Sequence, residues 1–294
     1  MIVTTHTAKT PTYGVIGDPI AHSFSPVIQQ TIAAAAGDEI VYTAFHVKPE
    51  NIGDAIRGAY ALNIQGLNVT IPHKPSVVPY LSHMDSSARE AGTVNTLKYM
   101  SDGYHGYNTD ITGVARTLQA AGVTLADSTG IVLGGGGSAP AAVLALAKNG
   151  AKRIFIVNRT LEKAQALAES IGALYPANIT AVPADVMDNL PAADVFVQTT
   201  SVGFGVQKDL SPVADPRFFE RIGTVLDIVY APWETRLLHD ARSCGAKCAN
   251  GFDMLVYQAI ASYEIWRGTP LDNAVSDGVL RELRDYYMAL LGTQ

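Results

Sequence analysis

A chain of 294 residues that is 48% hydrophobic and carries a formal net charge of -6 is long and apolar enough to bury two cores. Its 21 lysines and arginines are outnumbered by 27 acidic residues and form no basic block, which excludes a phosphate-backbone binder, so no nucleic-acid partner is expected. No apolar run reaches spanning length, and the polar start Met1 to Pro11 lacks the apolar core of about 7–15 residues that a secretion signal carries. The expectation is therefore a cytoplasmic protein with no membrane partner. Cys244 and Cys248 lie on a Cys-x-x-x-Cys spacing with no second pair to complete a zinc site, so they read as reduced structural thiols and no metal is expected.

In chain order, Tyr13 to Gly17 reads as a short strand leading into Asp18-Pro-Ile-Ala-His-Ser-Phe-Ser-Pro26, after which Val27 to Ala36 has helical periodicity. Ser25 is a ready N-cap and Pro26 a first-turn residue. That leaves Ser23 unexplained, and two hydroxyls beside a helix N-terminus can also hold a polyol or a carboxylate. Ile40 to Val47 reads as a strand, Pro49 to Ala61 as a helix and Gly66 to Thr70 as another strand, the start of an α/β unit. Its strand end, Asn68-Val-Thr-Ile-Pro-His-Lys74, puts an amide, the Thr70 hydroxyl and the Lys74 amine at one corner, where open α/β sheets bind ligands. Val77 to Arg89 reads as helical. Asn95 and Thr96 follow in Ala91 to Leu97, then Asn108 and Asp110 in Gly106 to Asp110, with Asp110 equally suited to cap a helix from Ile111 to Ala121.

After the linker Ala121 to Ser128 comes an apolar run ending in Gly134-Gly-Gly-Gly-Ser138 and opening into an Ala/Leu-rich helix. Gly134-x-Gly136-x-x-Ala139 is the spacing of the dinucleotide fingerprint: absent side chains let the backbone approach a pyrophosphate, and the helix N-terminus supplies N–H groups. Four glycines alone are equally a bland turn, and the sequel decides. Arg153 to Val157 is a second buried-type strand ending at Asn158-Arg159-Thr160, before a helix from Leu161 to Ile171. An Asp or Glu at this corner would accept the ribose 2′-hydroxyl and repel a 2′-phosphate. Asn158 is uncharged, while Arg159, Thr160 and Lys163 can contact that phosphate, so NADP is the expected cofactor; the competing reading is a solvated helix start with Thr160 as N-cap.

Ile179 to Val182, Val195 to Thr199 and Thr224 to Ile228 read as further strands of a doubly wound α/β domain. Two strand ends, Gln198 to Gly203 and Asp227 to Pro232, are rich enough in hydroxyl and polar groups to line a cofactor cleft. Phe252 to Trp266 and Ser276 to Leu291 are amphipathic helices suited to packing, with Gln258 the polar exception.

These loops resemble, in order and in type, the motifs of the shikimate dehydrogenase family: Ser23-Phe-Ser-Pro26, Asn68 to Lys74, Gly92-Thr-Val-Asn-Thr96, Asn108-Thr-Asp110, Asn158-Arg-Thr160, Thr199-Thr-Ser-Val-Gly203, Asp227-Ile-Val-Tyr230 and Gly251 to Gln258. The resemblance implies an NADP-dependent shikimate dehydrogenase, interconverting shikimate and 3-dehydroshikimate by hydride transfer. It implies an α/β fold of two domains: a substrate-binding catalytic domain over 1–111, a Rossmann-type NADP-binding domain over 112–251, and C-terminal helices over 252–294 returning to the first. By family likeness Lys74 and Asp110 are the catalytic pair, named as a dyad because either can carry the proton. Ser23 and Ser25 would contact the substrate carboxylate, Thr70, Asn95 and Gln258 its ring hydroxyls, and Tyr230 its edge. The cofactor would meet Gly134, Gly135, Gly136, Gly137 and Ser138 at the pyrophosphate, Asn158, Arg159, Thr160 and Lys163 at the ribose phosphate, and Thr199, Ile228 and Gly251 nearer the nicotinamide. The expected partner is the small-molecule substrate, with a homodimer as the candidate assembly.

The chain departs from the commonest family pattern at Gln29-Gln30, where His-Asn is usual, and at Gly135, Ser138, Gln198 and Phe204. Two alternatives therefore stand beside the first reading. One is a quinate/shikimate or aminoshikimate dehydrogenase paralogue; quinate relatives often carry Thr in place of Ser25 and an acid after the second cofactor strand, and this chain has neither. The other is a non-catalytic NADP-sensing module, against which the retained Lys74 and Asp110 argue, since a sensor needs neither.

Overall fold

The computed structural model describes residues 6–292, so the reading of residues 1–5 as part of a leaderless start lies outside the described residues. Two compact units emerge: Met1–Thr109 with Gln258–Gln294, and Asp110–Tyr257. The first unit therefore takes its chain from both sides of the second.

Unit 1 begins with strand β1 (Thr12–Gly17), helix α1 (Ser25–Ala36), β2 (Val41–His46), a 3-10 turn (Pro49–Asn51) running into α2 (Ile52–Ala61), and β3 (Gly66–Val69). A 3-10 turn (Val78–Tyr80), β4 (His83–Met84), α3 (Ser86–Ala91), β5 (Thr96–Met100) and β6 (Gly103–Tyr107) follow. The sheet order is β2-β1-β3-β5-β6-β4, parallel through β2, β1 and β3 and antiparallel from β3 to β6. Its core gathers Ile16, Ile56, Leu67, Val69, Val94, Leu97 and Tyr104, all buried.

One expectation fails here. Val77 to Arg89 is not one helix: Pro79 removes a backbone donor, β4 pairs with β6, and Asp85 restarts the helix by accepting the Ala88 N–H at 3.0 Å. The hairpin of β5 and β6, to which the sequence reading assigned no element, turns through Ser101-Asp102, and Gly103 opens β6 at φ +130°, where a side chain would be strained.

Unit 2 runs α4 (Asp110–Ala120), β7 (Thr129–Leu133), α5 (Ala139–Lys148), β8 (Arg153–Asn158), α6 (Leu161–Gly172), β9 (Asn178–Pro183), β10 (Ala193–Gln198), β11 (Ile222–Asp227), α7 (Arg236–Ser243) and β12 (Lys247–Asn250). Helix α8 (Gly251–Arg267) starts in unit 2 and ends in unit 1, where α9 (Asn273–Gly292) follows. All strands of unit 2 are parallel, in the order β12-β11-β10-β7-β8-β9. Counted from β7 this is the 3-2-1-4-5-6 order of a doubly wound nucleotide-binding sheet, whose direction reverses between β7 and β10. The strands are apolar on both faces because helices cover both: Ile131, Ile154, Ile156, Phe196 and Val225 are fully buried.

Candidate active site

In unit 1 the loop after β1 carries the paired serines. The Ser23 hydroxyl accepts the Ser25 N–H at 3.3 Å, while Phe24 already has helical dihedrals (φ -84°, ψ -7°) and occupies the N-cap position. Ser25 is thus the first helical residue and not the N-cap, and the Ser23 hydroxyl takes over part of that work. The Phe24 ring between them stacks on Tyr286 (centroids 6.1 Å apart) and meets Tyr287 edge-on at 5.4 Å, both from α9. That contact holds the serine loop against the end of the chain.

Thr70 follows β3, with its N–H bonded to the Ile16 carbonyl at 3.0 Å and its methyl against Gly17, where a Cβ would lie 2.6 Å away. The turn that ends in Lys74 is pinned along its backbone: Asp18 N–H to Ile71 O, His73 N–H to Thr70 O and Val94 N–H to Lys74 O, at 2.9–3.0 Å. His73 is fully buried against the Val47 carbonyl at 2.6 Å. Lys74 is half-buried. Asn95 and Gln258 are brought together, Asn95 Nδ2 donating to Gln258 Oε1 at 3.4 Å, although 163 residues separate them.

In unit 2, Asp110 opens α4 and is 5% exposed. At the end of β7, Gly134 has φ +125°, and a Cβ there would lie 2.3 Å from Thr199 Oγ1. Thr199 sits tight because its N–H and its hydroxyl both reach the Leu133 carbonyl at 2.8 Å. A Cβ on Gly135 would meet the Asn158 amide at 2.7 Å, whereas Gly136 and Gly137 face open space. Ser138, at the N-cap position of α5, makes no side-chain cap bond, and Pro140 fills the first turn. Gly134 needs glycine for its backbone conformation, Gly135 leaves room for the Asn158 amide, and the open pair beside a helix N-terminus leaves backbone N–H groups for an anion.

At the next corner Asn158 Nδ2 donates to the Thr160 carbonyl at 2.9 Å, which turns the chain so that Arg159, Thr160 and Lys163 are all exposed. Thr160 occupies the N-cap position of α6, yet its side chain makes no cap bond. Its hydroxyl therefore has no capping task. Across the sheet, Ile228 N–H bonds to Gln198 O at 3.1 Å, and a Cβ on Gly251 would fall 2.1 Å from the Ile228 carbonyl oxygen. Tyr230 is half-buried against Phe252 (6.5 Å), and burial raises its phenol pKa.

Sequence reasoning singled out these two strand ends but gave no role to the side chains of Gln198 and Asp227. Gln198, fully buried, donates to Thr200 O at 3.2 Å and Val202 O at 2.9 Å and accepts the Thr200 N–H, so its side chain shapes the 199–203 turn. Asp227, also fully buried, accepts Val229 N–H at 3.0 Å and the Thr235 hydroxyl at 2.7 Å, closing the loop that carries Ile228 and Tyr230; burial raises its pKa to about 6. A buried polar residue at a strand C-terminus was the available signal in both cases.

Among the described residues no group of three or more His, Cys, Asp or Glu is placed to hold a metal ion, and no helix is long and apolar enough to cross a membrane. The Cys244 thiol donates to Pro216 O at 3.1 Å, and burial raises the Cys248 thiol pKa.

Three family models match the chain: the shikimate dehydrogenase substrate binding domain over residues 15–97, shikimate / quinate 5-dehydrogenase over 116–209, and the shikimate 5'-dehydrogenase C-terminal domain over 251–275. A shikimate dehydrogenase (NADP(+)) from Aquifex aeolicus is 38% identical over 278 residues, 94% of this chain and 98% of the relative. A shikimate dehydrogenase solved in complex with NADP+ superposes with a TM-score of 0.84 at 36% identity, covering 94% of this chain and 96% of that one. The shikimate 5-dehydrogenase of Thermus thermophilus, solved with NADP(H) and shikimate, gives a TM-score of 0.81 at 30% identity over 93% and 99% of the two chains.

Proposed function

The chain belongs to the shikimate dehydrogenase family, and from that premise we propose that it is an NADP-dependent shikimate dehydrogenase that interconverts shikimate and 3-dehydroshikimate. The observation that carries the reading is that the chain aligns almost end to end with enzymes of that name, and Lys74 and Asp110 stand where the resemblance expects the catalytic pair.

Support for NADP comes from the glycine turn, open at Gly136 and Gly137 beside the N-terminus of α5, and from the exposed basic corner of Arg159 and Lys163. The cofactor, when bound, supplies a hydride acceptor for the carbinol carbon. The chain's own residues do the rest. Gly134 to Ser138 would line the pyrophosphate, with the Gly134 N–H spent on Val157 O at 2.8 Å and the N–H groups after it facing the anion, and Arg159, Thr160 and Lys163 would receive the 2′-phosphate. In unit 1, Ser23 and Ser25 would hold the substrate carboxylate, and Thr70, Asn95 and Gln258 its hydroxyls. Loss of hydride from an alcohol carbon requires loss of the hydroxyl proton, and we assign that proton to the Lys74–Asp110 dyad, which returns it in the reverse direction. Tyr230 would close the substrate edge, with Thr199, Ile228 and Gly251 beside the nicotinamide. In domain terms, 1–111 with 252–294 would take substrate and 112–251 the cofactor. A homodimer and a cytoplasmic location complete the proposal.

Initial rates with shikimate, quinate and aminoshikimate, each with NADP and with NAD, test it. The expected result is highest kcat/KM for shikimate with NADP. Faster turnover of quinate or aminoshikimate would assign the paralogue reading, and no reduction of either cofactor would assign the sensor.

A further inference from the structure

Gln198 ends β10 fully buried, and its side chain turns back over the 199–203 turn that follows. The Thr200 N–H can only donate, so the side-chain oxygen of Gln198 faces it. The Thr200 and Val202 carbonyls can only accept, so the side-chain nitrogen faces them, at 3.2 and 2.9 Å. All three partners are backbone groups of fixed polarity, which leaves the amide one orientation.

The rest of the turn is bonded within itself and to its neighbours. Val202 N–H donates to Thr200 Oγ1 at 3.2 Å, Gly203 N–H to Gln207 O at 3.1 Å, and Thr199 is held on the Leu133 carbonyl of β7. Gly203 takes φ +97°, and a Cβ on it would stand 3.6 Å from Thr235, whose hydroxyl is bound to Asp227. The main chain of Gln198 reaches the second loop, since its carbonyl accepts the Ile228 N–H at 3.1 Å. One residue therefore fixes two loops: the 199–203 turn through its amide, and the start of the loop after β11 through its carbonyl.

Both loops leave the C-terminal ends of β10 and β11, beyond the reversal of strand order between β7 and β10. In a doubly wound sheet each half takes one mononucleotide of the cofactor. The glycine turn after β7 and the Arg159 corner after β8 belong to the half that takes adenosine and its 2′-phosphate, which leaves β10 and β11 for the nicotinamide nucleotide.

We infer that Gln198 is a positioning residue for the nicotinamide half of the cofactor, a buried side chain that holds the 199–203 turn in the conformation that receives this half. The inference rests on the NADP reading above. Without the amide, the Thr200 N–H and the Thr200 and Val202 carbonyls lose their partner, and the turn is free to leave that conformation. The cost of re-forming it then falls on the ligand that binds there.

Fluorescence titration, which needs no turnover, tests this with two probes: NADP, and 2′,5′-ADP, which carries the 2′-phosphate and adenosine but no nicotinamide. Wild-type binding of NADP is measured first; its absence would sink the cofactor reading and this inference with it. In a protein that binds NADP, Gln198→Met keeps the length of the side chain and removes the amide. It is expected to raise Kd for NADP about tenfold and to leave Kd for 2′,5′-ADP within about twofold. Arg159→Ala marks the other half of the site and should weaken both probes. Gln198→Asn keeps the amide on a stem one methylene shorter and reads the same contrast should the Met variant fail to fold, with a rise of about threefold for NADP alone. Unchanged NADP affinity in these Gln198 variants, or equal losses for NADP and 2′,5′-ADP, would overturn the positioning role while leaving the cofactor reading in place.

Discussion

Asp227→Asn is expected to make the protein more stable than wild type at neutral pH, and the amount follows from the burial of this carboxyl group. Its pKa rises from 3.8 to about 6 because desolvation outweighs the bonds from Thr235 and Val229. A group whose pKa is raised on folding holds its proton more tightly in the native state. Its stabilisation is fully present below pH 3.8 and is lost as the pH rises through 6. A shift of about two units corresponds to about 3 kcal/mol over the whole window, of which about 2 kcal/mol is lost between pH 4 and 7. The asparagine keeps the shape: its oxygen can accept the Val229 N–H, and its amide can donate to Thr235 Oγ1, which already accepts the Leu238 N–H at 3.3 Å. Urea denaturation of both proteins at pH 4, 5, 6 and 7 should show the stability of the variant minus that of wild type growing by about 2 kcal/mol across that range. Parallel pH profiles would refute the argument and mean that Asp227 is solvated or already neutral at pH 7.

Lys74→Ala should lower kcat by about 10²–10⁴-fold while KM for shikimate stays within about tenfold, read from steady-state rates, because a proton-transfer group acts mainly in the transition state. Arg159→Ala should weaken NADP by about ten- to hundredfold and leave NAD nearly unchanged, measured as kcat/KM for each cofactor at saturating shikimate. Gly251→Ala drives a methyl to 2.1 Å from the Ile228 carbonyl, so the backbone there must shift. Calorimetry should show a loss of about 1–3 kcal/mol, and fluorescence titration a weaker NADP affinity.

The parts of the fold that local chemistry dictates were legible in the sequence. The glycine turn at Gly134, the apolar strands of unit 2 and the start of α8 at Gly251 each follow from residues a few positions apart. Where the chain's pattern is decided at a distance, legibility fails. Val77 to Arg89 has helical periodicity, yet β4 is claimed by β6 and the helix begins only where Asp85 can cap it. Ser25 looks like a cap because Pro26 follows, but the dihedrals of Phe24 move the helix start one residue earlier. The buried polar network in which Asn68, Thr96 and Thr109 of unit 1 meet Ser262 of α8, at 3.0, 2.7 and 3.1 Å, was out of reach for the same reason. Asn68, Thr96, Thr109 and Ser262 are ordinary small polar residues, and nothing in their neighbours along the chain says that they meet.

That network also bears on how the protein is made. Its bonds between Asn68 and Ser262 and between Asn95 and Gln258 span 194 and 163 residues, with all of unit 2 threaded between the partners. A ribosome adds about 5–20 residues per second, and domains generally fold as units in the order of their emergence. Unit 2 is continuous and can complete its sheet while unit 1 still waits for α8 and α9. During that interval Asn68 and Asn95 lack their helix partners, and Phe24 lacks Tyr286 and Tyr287. The surface proposed for the cofactor is thus expected to mature on the nascent chain before the surface proposed for the substrate, which closes only when the last helices arrive.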